Sequence, residues 1–307
     1  MILKTKLFGK VYEFKSLREV MAKANEEKSG DKLAGIAAES AEERVAAKVV
    51  LSHITLEDLR NNPAVPYEED EVTRIIQDGV NEAIYKEIKG MTVAEFREWI
   101  LSETTTTDMI KRASRGLTSE MVAAVCKLMT NLDLIYAAKK IRVSAHCNTT
   151  IGLPGTFSSR LQPNHTTDDP KGIMASVMEG LSLGCGDAVI GLNPVDDSVE
   201  SVARVLRSFD EFKNKWEVPT QICVLAHVTT QMEACEKQGA PIDLMFQSIA
   251  GSQKGNEAFG LTATMLDEGY QMMNEKGTSA GPNYMYFETG QGSELSSEAH
   301  NGWDQVT

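Results

Sequence analysis

The second half of the chain repeats one pattern: a short apolar run, a polar or charged residue at its C-terminal end, then a segment with helical periodicity. The tips fall at Arg160/Gln162, Asn193, His227, Gln247/Ser248 and Glu288. Buried strands of a parallel sheet read as short continuous apolar stretches, and a crossover helix must separate each from the next. The alternation predicts an α/β fold, a TIM-type (β/α) barrel whose strand C-terminal ends converge on one mouth. It also predicts that Arg160, Asn193 and Glu288, far apart in sequence, share one rim.

Residues 1–140 read differently, as a mainly helical N-terminal domain with a small β-hairpin about Gly9-Lys10. Ser40-Ala-Glu-Glu43 has the pattern of a capping box ahead of Val45, Val49 and Val50. Thr55-Leu-Glu-Asp58 and Thr92-Val-Ala-Glu95 are further helix starts, and Thr118 or Ser119 opens a helix through Met121 and Val125. Nothing here carries obvious chemistry, so packing and assembly are its expected tasks. Residues 141–307 read as the first part of a (β/α)8 barrel. Asp169-Pro170 opens a helix that runs to the glycines at 184 and 186, and Ser198 to Trp216 forms another with a stripe from Val199 to Phe212. Thr230-Gln-Met-Glu233 is expected to cap a short helix, and one further helix is expected from about Asn256 to Lys276, ending at Gly277. The run Asn301–Thr307 reads as a helix start with Asp304 as N-cap. A barrel that stops after its fifth strand leaves two unpaired edges, so the expectation is a piece of a longer protein, incomplete at its C-terminus and by itself inactive and poorly stable.

The charge balance bounds the partners. Forty-four Asp and Glu face 31 Lys and Arg, a net charge of −13, which disfavours unspecific nucleic-acid binding. No apolar run approaches the roughly 20 residues of a membrane span, and the N-terminus has no signal-peptide core. The five cysteines form no CxxC pair, so reduced, mostly buried thiols of a cytoplasmic protein are expected. There is no HExxH, no HxH on the first strand and no P-loop, and Gly290-Gln-Gly292 lacks the third glycine of a dinucleotide fingerprint. No lysine sits at a strand tip, against a Schiff-base aldolase. No protein-held metal is expected.

What remains are the tips. Glu288, followed by glycines at 290 and 292, is a carboxylate that grips a cation or exchanges a proton, or else a hydrogen-bond anchor at a strand end. Arg160 and Gln162 lie on alternate residues and point to one side; they serve a ligand or an internal salt bridge. Asn193-Pro194 offers an amide on a loop stiffened by proline, or a plain turn. Gln247-Ser248 is similar. His227 is a candidate base, although strand-end histidines more often serve structure. Such a mouth suits a small, charged, hydrogen-bonding substrate whose hard chemistry a cofactor performs.

Longer motifs narrow this. Asn148–Asn164, Gly186-Asp-Ala-Val-Ile-Gly-Leu-Asn-Pro194, Val224-Leu-Ala-His-Val-Thr-Thr-Gln231 and Tyr286-Phe-Glu-Thr-Gly-Gln-Gly-Ser293 resemble the large subunit of the ethanolamine ammonia-lyase family, as do Arg44–Lys48, Arg60-Asn-Asn-Pro63 and Thr73–Asp78. The resemblance covers the whole chain. It implies an adenosylcobalamin-dependent radical lyase that converts ethanolamine to acetaldehyde and ammonia. It implies a small-subunit partner, a hexamer of heterodimers and a cytoplasmic location, often inside a bacterial microcompartment. Carried over by position, Arg160, Gln162, Asn193 and Glu288 match substrate contacts, with Glu288 and Arg160 as the catalytic pair. Pro194, Gln247 and Ser296 match cofactor contacts. The family also implies an aspartate on the amine that lies beyond this chain. Cobalt–carbon homolysis, hydrogen abstraction from the carbinol carbon and amine migration controlled by Glu288 would follow. The alternatives are a related radical amino-alcohol lyase or aminomutase, and a non-catalytic assembly subunit or inactive fragment.

Overall fold

The computed structural model describes residues 1–289. Ser296, Gly290-Gln-Gly292 and the helix start at Asp304 therefore lie outside the described residues. These residues divide into two compact units: the first takes 1–142 with 250–260, the second 143–249 with 261–289.

The first unit opens with an antiparallel hairpin, β1 (Lys4–Leu7) and β2 (Lys10–Glu13), with Leu7 opposite Lys10. Its loop is Phe8-Gly9, one residue earlier than expected. Both residues have positive φ, 51° and 75°, as a type I′ turn requires. Ten helices follow: α1 (Leu17–Lys23), α2 (Ser29–Leu33), α3 (Ala41–Ser52), α4 (Leu56–Asn61), α5 (Glu71–Asp78), α6 (Glu82–Ile88), α7 (Val93–Leu101), α8 (Thr107–Ser114), α9 (Ser119–Lys127) and α10 (Asn131–Lys140). Their starts are chemically marked. Thr55 with Asp58 and Thr92 with Glu95 close reciprocal capping boxes, and the Thr118 hydroxyl accepts from Met121 N–H. Ser40 caps α3 through Glu43 N–H, but the Glu43 carboxylate takes the Glu39 N–H and Lys23. The buried face of α3 is Ala46, Ala47, Val50 and Leu51, a rotation away from the expected stripe; Val45 is exposed. These residues join Leu56, Leu59, Phe96, Met121 and Val125 in one core.

The second unit carries the strand and helix alternation. After a small hairpin, β3 (Ala145–His146) with β4 (Thr150–Ile151), come β5 (Arg160–Leu161), α11 (Pro170–Ser182), β6 (Val189–Leu192), α12 (Val199–Trp216), β7 (Ile222–Val224), α13 (Val228–Gln238) and β8 (Met245–Ile249). A short helix, α14 (Gln253–Ala258), belongs to the first unit; α15 (Ala263–Lys276) and β9 (Met285–Thr289) complete the second. The expected single helix from 256 is thus two. Gly260, with φ 72°, breaks it, and Thr262 caps the new start. Helix α13 begins at Val228 under His227, not at Thr230.

Strands β5, β6 and β7 pair in parallel, as do β8 and β9, with Ser248 opposite Glu288. The fold is mixed α/β, and the described strands form no closed ring. Between β7 and β8 the ladder gives way to a single backbone bond, Leu244 N–H to Ile222 O. Two fully buried side chains complete the seam. Asp243 accepts from Ile222 N–H at 3.0 Å, Thr278 hydroxyl at 2.7 Å and Lys213 at 2.6 Å. The Gln231 amide donates to Ala226 O and Phe246 O and accepts from Phe246 N–H. Such groups hold only when every buried polar atom is matched.

Alternation along the strands sorts the side chains into two faces. Ile190, Leu192, Ile222, Val224 and Met245 pack under the helices with Ile173, Val177, Val202, Leu206 and Phe209, each contributing roughly 1.5–3 kcal/mol by burial. The opposite face gathers Val189, Cys223, Leu244 and Phe246, with Leu225 and Tyr286 beside them. The β3–β4 hairpin covers the N-terminal edge: Gln221, just before β7, accepts from Asn148 and Thr149 N–H, and Asn283, just before β9, accepts from His146 N–H. Asn193 and His227 follow the C-terminal ends of β6 and β7, and Ser248 and Glu288 lie one residue before the ends of β8 and β9, but Arg160 opens β5 rather than ending it, and of that pair only Gln162 follows the strand.

Candidate functional site

Arg160 is the first residue of β5, on the face away from the helices. Asp187 fixes the approach to it: its carboxylate accepts Ser159 N–H at 2.8 Å, a bond that lowers the carboxyl's pKa. Gly191, across on β6, leaves the side chain room; a Cβ there would stand 3.5 Å from Arg160 Nε and 3.4 Å from Leu225. Arg160 Nη1 donates to the Tyr286 hydroxyl at 2.9 Å, which joins the β5 and β9 side chains on one face. Its Nε and Nη2 are buried and have no partner among the described residues. An arginine without a carboxylate, with two parallel N–H groups left over, is built to receive an acceptor. Burial pushes the Cys223 thiol on the same face far up, with the Arg160 charge opposing.

Gln162 lies just past the end of β5, exposed, and shares the Arg160 face by alternation. Asn193 follows β6 and is also exposed. Its position is fixed through the main chain. Asn164 Oδ1 accepts Asn193 N–H at 2.9 Å, and buried Asp168 accepts Val195 and Asp196 N–H at 2.9 and 2.8 Å. The loops after β5 and β6, Pro194 included, are thereby stitched together. Ser248 and Glu288 lie opposite each other on β8 and β9, and alternation from Phe246 and Tyr286 puts both on the Arg160 face, Glu288 exposed.

His227 and Gln247 stand apart from this group. The His227 Nδ1 caps α13 by accepting from Thr229 N–H, which leaves the proton on Nε2, a buried donor without a partner among the described residues. Gln247 points to the helix side. Its Oε1 accepts Val228 N–H at 2.8 Å and its Nε2 donates to Ser248 O. These bonds use one Oε1 lone pair and one Nε2 hydrogen of a side chain that is itself buried. Among the described residues, no cluster of three His, Cys, Asp or Glu side chains could hold a metal. No described helix is long and apolar enough to cross a membrane. The cysteines are free, but only Cys147 and Cys223 are buried; Cys126 is exposed, and Cys185 and Cys235 are half-buried, so the thiols are less sheltered than expected.

A family model described as Ethanolamine ammonia lyase large subunit (EutB) matches residues 12–307. The chain belongs to the ethanolamine ammonia-lyase large-subunit family. It is 58% identical over all 307 residues to the ethanolamine ammonia-lyase large subunits of Escherichia coli K12 and Salmonella typhimurium LT2, and spans 68% of their length. Within this family fold, the strand tips other than Arg160 were legible from sequence, but the groups that hold them were not. Tyr286 sits inside an apolar run. Asp168 stands beside Asp169, which alone has the N-cap signature; its own positive φ, 49°, is the only local mark.

Proposed function

We propose that the chain carries the substrate site of an ethanolamine ammonia-lyase, a carbon–nitrogen lyase releasing acetaldehyde and ammonia from ethanolamine. The observation that carries this reading is the 58% identity over the whole chain. The site geometry supports it: an uncommitted guanidinium on β5 and an exposed carboxylate on β9 belong to the same face of the unit, their strands linked by the Arg160–Tyr286 bond. In this reading, residues 1–140 are a helical domain and β5 to β9 are the first part of a (β/α)8 barrel whose later strands come from the rest of the subunit. A small subunit completes the enzyme, as a hexamer of such heterodimers, in the cytoplasm and within a bacterial microcompartment.

Glu288 pairs with the substrate ammonium, and Gln162 adds a second polar contact to the amine. Arg160 and Asn193 hold the hydroxyl, and Arg160 favours negative charge developing on that oxygen. As nitrogen leaves its first carbon, the Glu288 carboxylate controls the protonation of the amine; when the C–N bond breaks, the hydroxyl oxygen becomes the carbonyl and its proton passes to the departing ammonia or to Glu288. The residues present fit adenosylcobalamin, whose periphery is rich in amides: the His227 Nε2–H, unpartnered among the described residues, is a donor. Pro194, Gln247 and Ser296 would hold that cofactor. When bound, it supplies a carbon radical able to take hydrogen from unactivated carbon.

The test is Glu288→Gln in the assembled enzyme with small subunit and adenosylcobalamin. Turnover should fall by about 10²-fold or more with the circular dichroism spectrum unchanged. Near-normal turnover would remove Glu288 from this role. A lack of acetaldehyde from the unsubstituted enzyme would favour a non-catalytic assembly subunit; turnover of another amino alcohol in preference would favour a related radical lyase.

A further inference from the structure

We propose that Tyr286 is a positioning residue for Arg160: its hydroxyl fixes the guanidinium so that one pair of N–H groups faces the substrate hydroxyl, without cancelling the charge. The inference rests on the lyase reading and concerns a residue to which that reading gives no task. Tyr286 lies two residues before Glu288 on β9. Its hydroxyl accepts from Arg160 Nη1 at 2.9 Å, and its ring centroid is 5.8 Å from the guanidinium carbon. The ring is held in turn by Phe246, edge-on at 5.6 Å with an interplanar angle of 77°. Phe246 is buried, and its backbone is clamped by Gln231. A chain of rigid contacts thus runs from the sheet seam to the arginine.

The nitrogens that remain decide the argument. Nε–H and Nη2–H point the same way along one edge of the guanidinium and form its side-on fork. Both are buried and unpartnered among the described residues, while the opposite end, Nη1, is the one that Tyr286 engages. A carboxylate in the place of Tyr286 would orient the arginine equally well but would neutralise it. A neutral phenol orients it and leaves the charge for an oxygen that becomes more negative during reaction. Without that anchor, a long side chain with roughly 2 kcal/mol of rotamer entropy would swing within the space that Gly191 opens.

The experiment compares the unsubstituted assembled enzyme, Tyr286→Phe, Arg160→Lys and the double variant. Tyr286→Phe keeps the ring and loses only the hydroxyl. We expect kcat/KM for ethanolamine to fall roughly 10-fold. Competitive inhibition by ethylamine, which lacks the hydroxyl, should be unchanged, and so should the absorbance change on adenosylcobalamin binding. In the Arg160→Lys background, Tyr286→Phe should alter kcat/KM by less than about twofold, because the two residues act as one unit. A purely structural role would lower kcat/KM by the same factor in both backgrounds, or weaken ethylamine equally; either result overturns the proposal. Full activity of Tyr286→Phe overturns it while leaving the lyase reading intact. No acetaldehyde from the unsubstituted enzyme overturns both.

Discussion

Arg97 in the helical unit and Arg160 in the sheet unit are both partly buried arginines, and they are treated in opposite ways. Arg97 bonds Glu98 through Nη1 and Asp133 through Nη2, the latter at 2.6 Å; its Nε is buried without a partner among the described residues, but both ends of its guanidinium meet carboxylates. It ties α7 to the capping box of α10, where Asp133 also accepts Thr130 N–H. That backbone bond first, and Arg97 second, pull the Asp133 carboxyl down to about 2. Arg160 has no carboxylate partner among the described residues, a single phenol bond and two buried N–H groups unmatched. Folding alone disfavours the second arrangement, since an uncompensated buried charge is costly. A group kept against that cost is best explained by what it binds.

The sharpest way to break this contrast is to remove each charge. Arg160→Met in the assembled enzyme should lower kcat/KM by about 10³-fold or more while leaving stability to urea unchanged or raised by about 1 kcal/mol. Arg97→Met should do the reverse: activity within about twofold of normal, and stability lower by about 1 kcal/mol, because its pairs lie near the surface. Should Arg160→Met unfold the chain as readily as a core truncation, Arg160 is a structural group and the contrast fails.

The same physics decides what could be read without coordinates. Strand tips and helix caps carry local signals, because alternation, apolar run length and the Thr-x-x-Glu spacing act within a few residues. Thus the places of Asn193 after β6 and of Glu288 near the end of β9, and the helix starts at Thr55 and Thr92, were legible, whereas Arg160 opens its strand instead of ending it. Asp243, Gln231, Asp168 and Tyr286 were not, since the partner of each is set by tertiary structure. The break at Gly260 was missed because Phe259-Gly-Leu261 continues an acceptable helical pattern, and only the left-handed backbone at Gly260 ends it. At His227 the histidine itself supplies the helix cap, which displaced the start expected at Thr230.

The helical unit has buried carboxylates of its own, Asp31, Asp70 and Glu120, and Glu120 sharpens the comparison at a smaller scale. Glu120, on α9, accepts a single bond from Ala64 N–H at 2.8 Å. Burial, only partly offset by that bond, pushes its carboxyl up to about 7. A folded-state pKa above the ordinary 4.5 means the folded chain binds more protons between those values. Stability should therefore fall as pH rises from about 4.5 to about 7, and the full penalty applies above that. Glu120→Gln keeps the acceptor and removes the titration. It should flatten this part of the profile and raise stability at pH 8 by roughly 1–2 kcal/mol, read from urea midpoints across pH. An unchanged slope would mean that Glu120 titrates normally.

The smallest effect belongs to the hairpin turn, where neither charge nor ligand is involved. Phe8 holds a left-handed backbone, φ 51°, with its side chain 68% exposed. A type I′ turn favours Asn-Gly, and an aromatic residue in that conformation is strained by contact of its Cβ with the backbone. Little packing is lost with an exposed ring, so Phe8→Asn should stabilise the chain by about 0.5–1 kcal/mol, or about 1–3 °C in Tm. Activity should not change, because the turn lies in the unit whose polar groups are engaged in folding. A loss of stability would instead show that the Phe8 ring packs on a surface outside the described residues, and that this edge of the helical unit is not free.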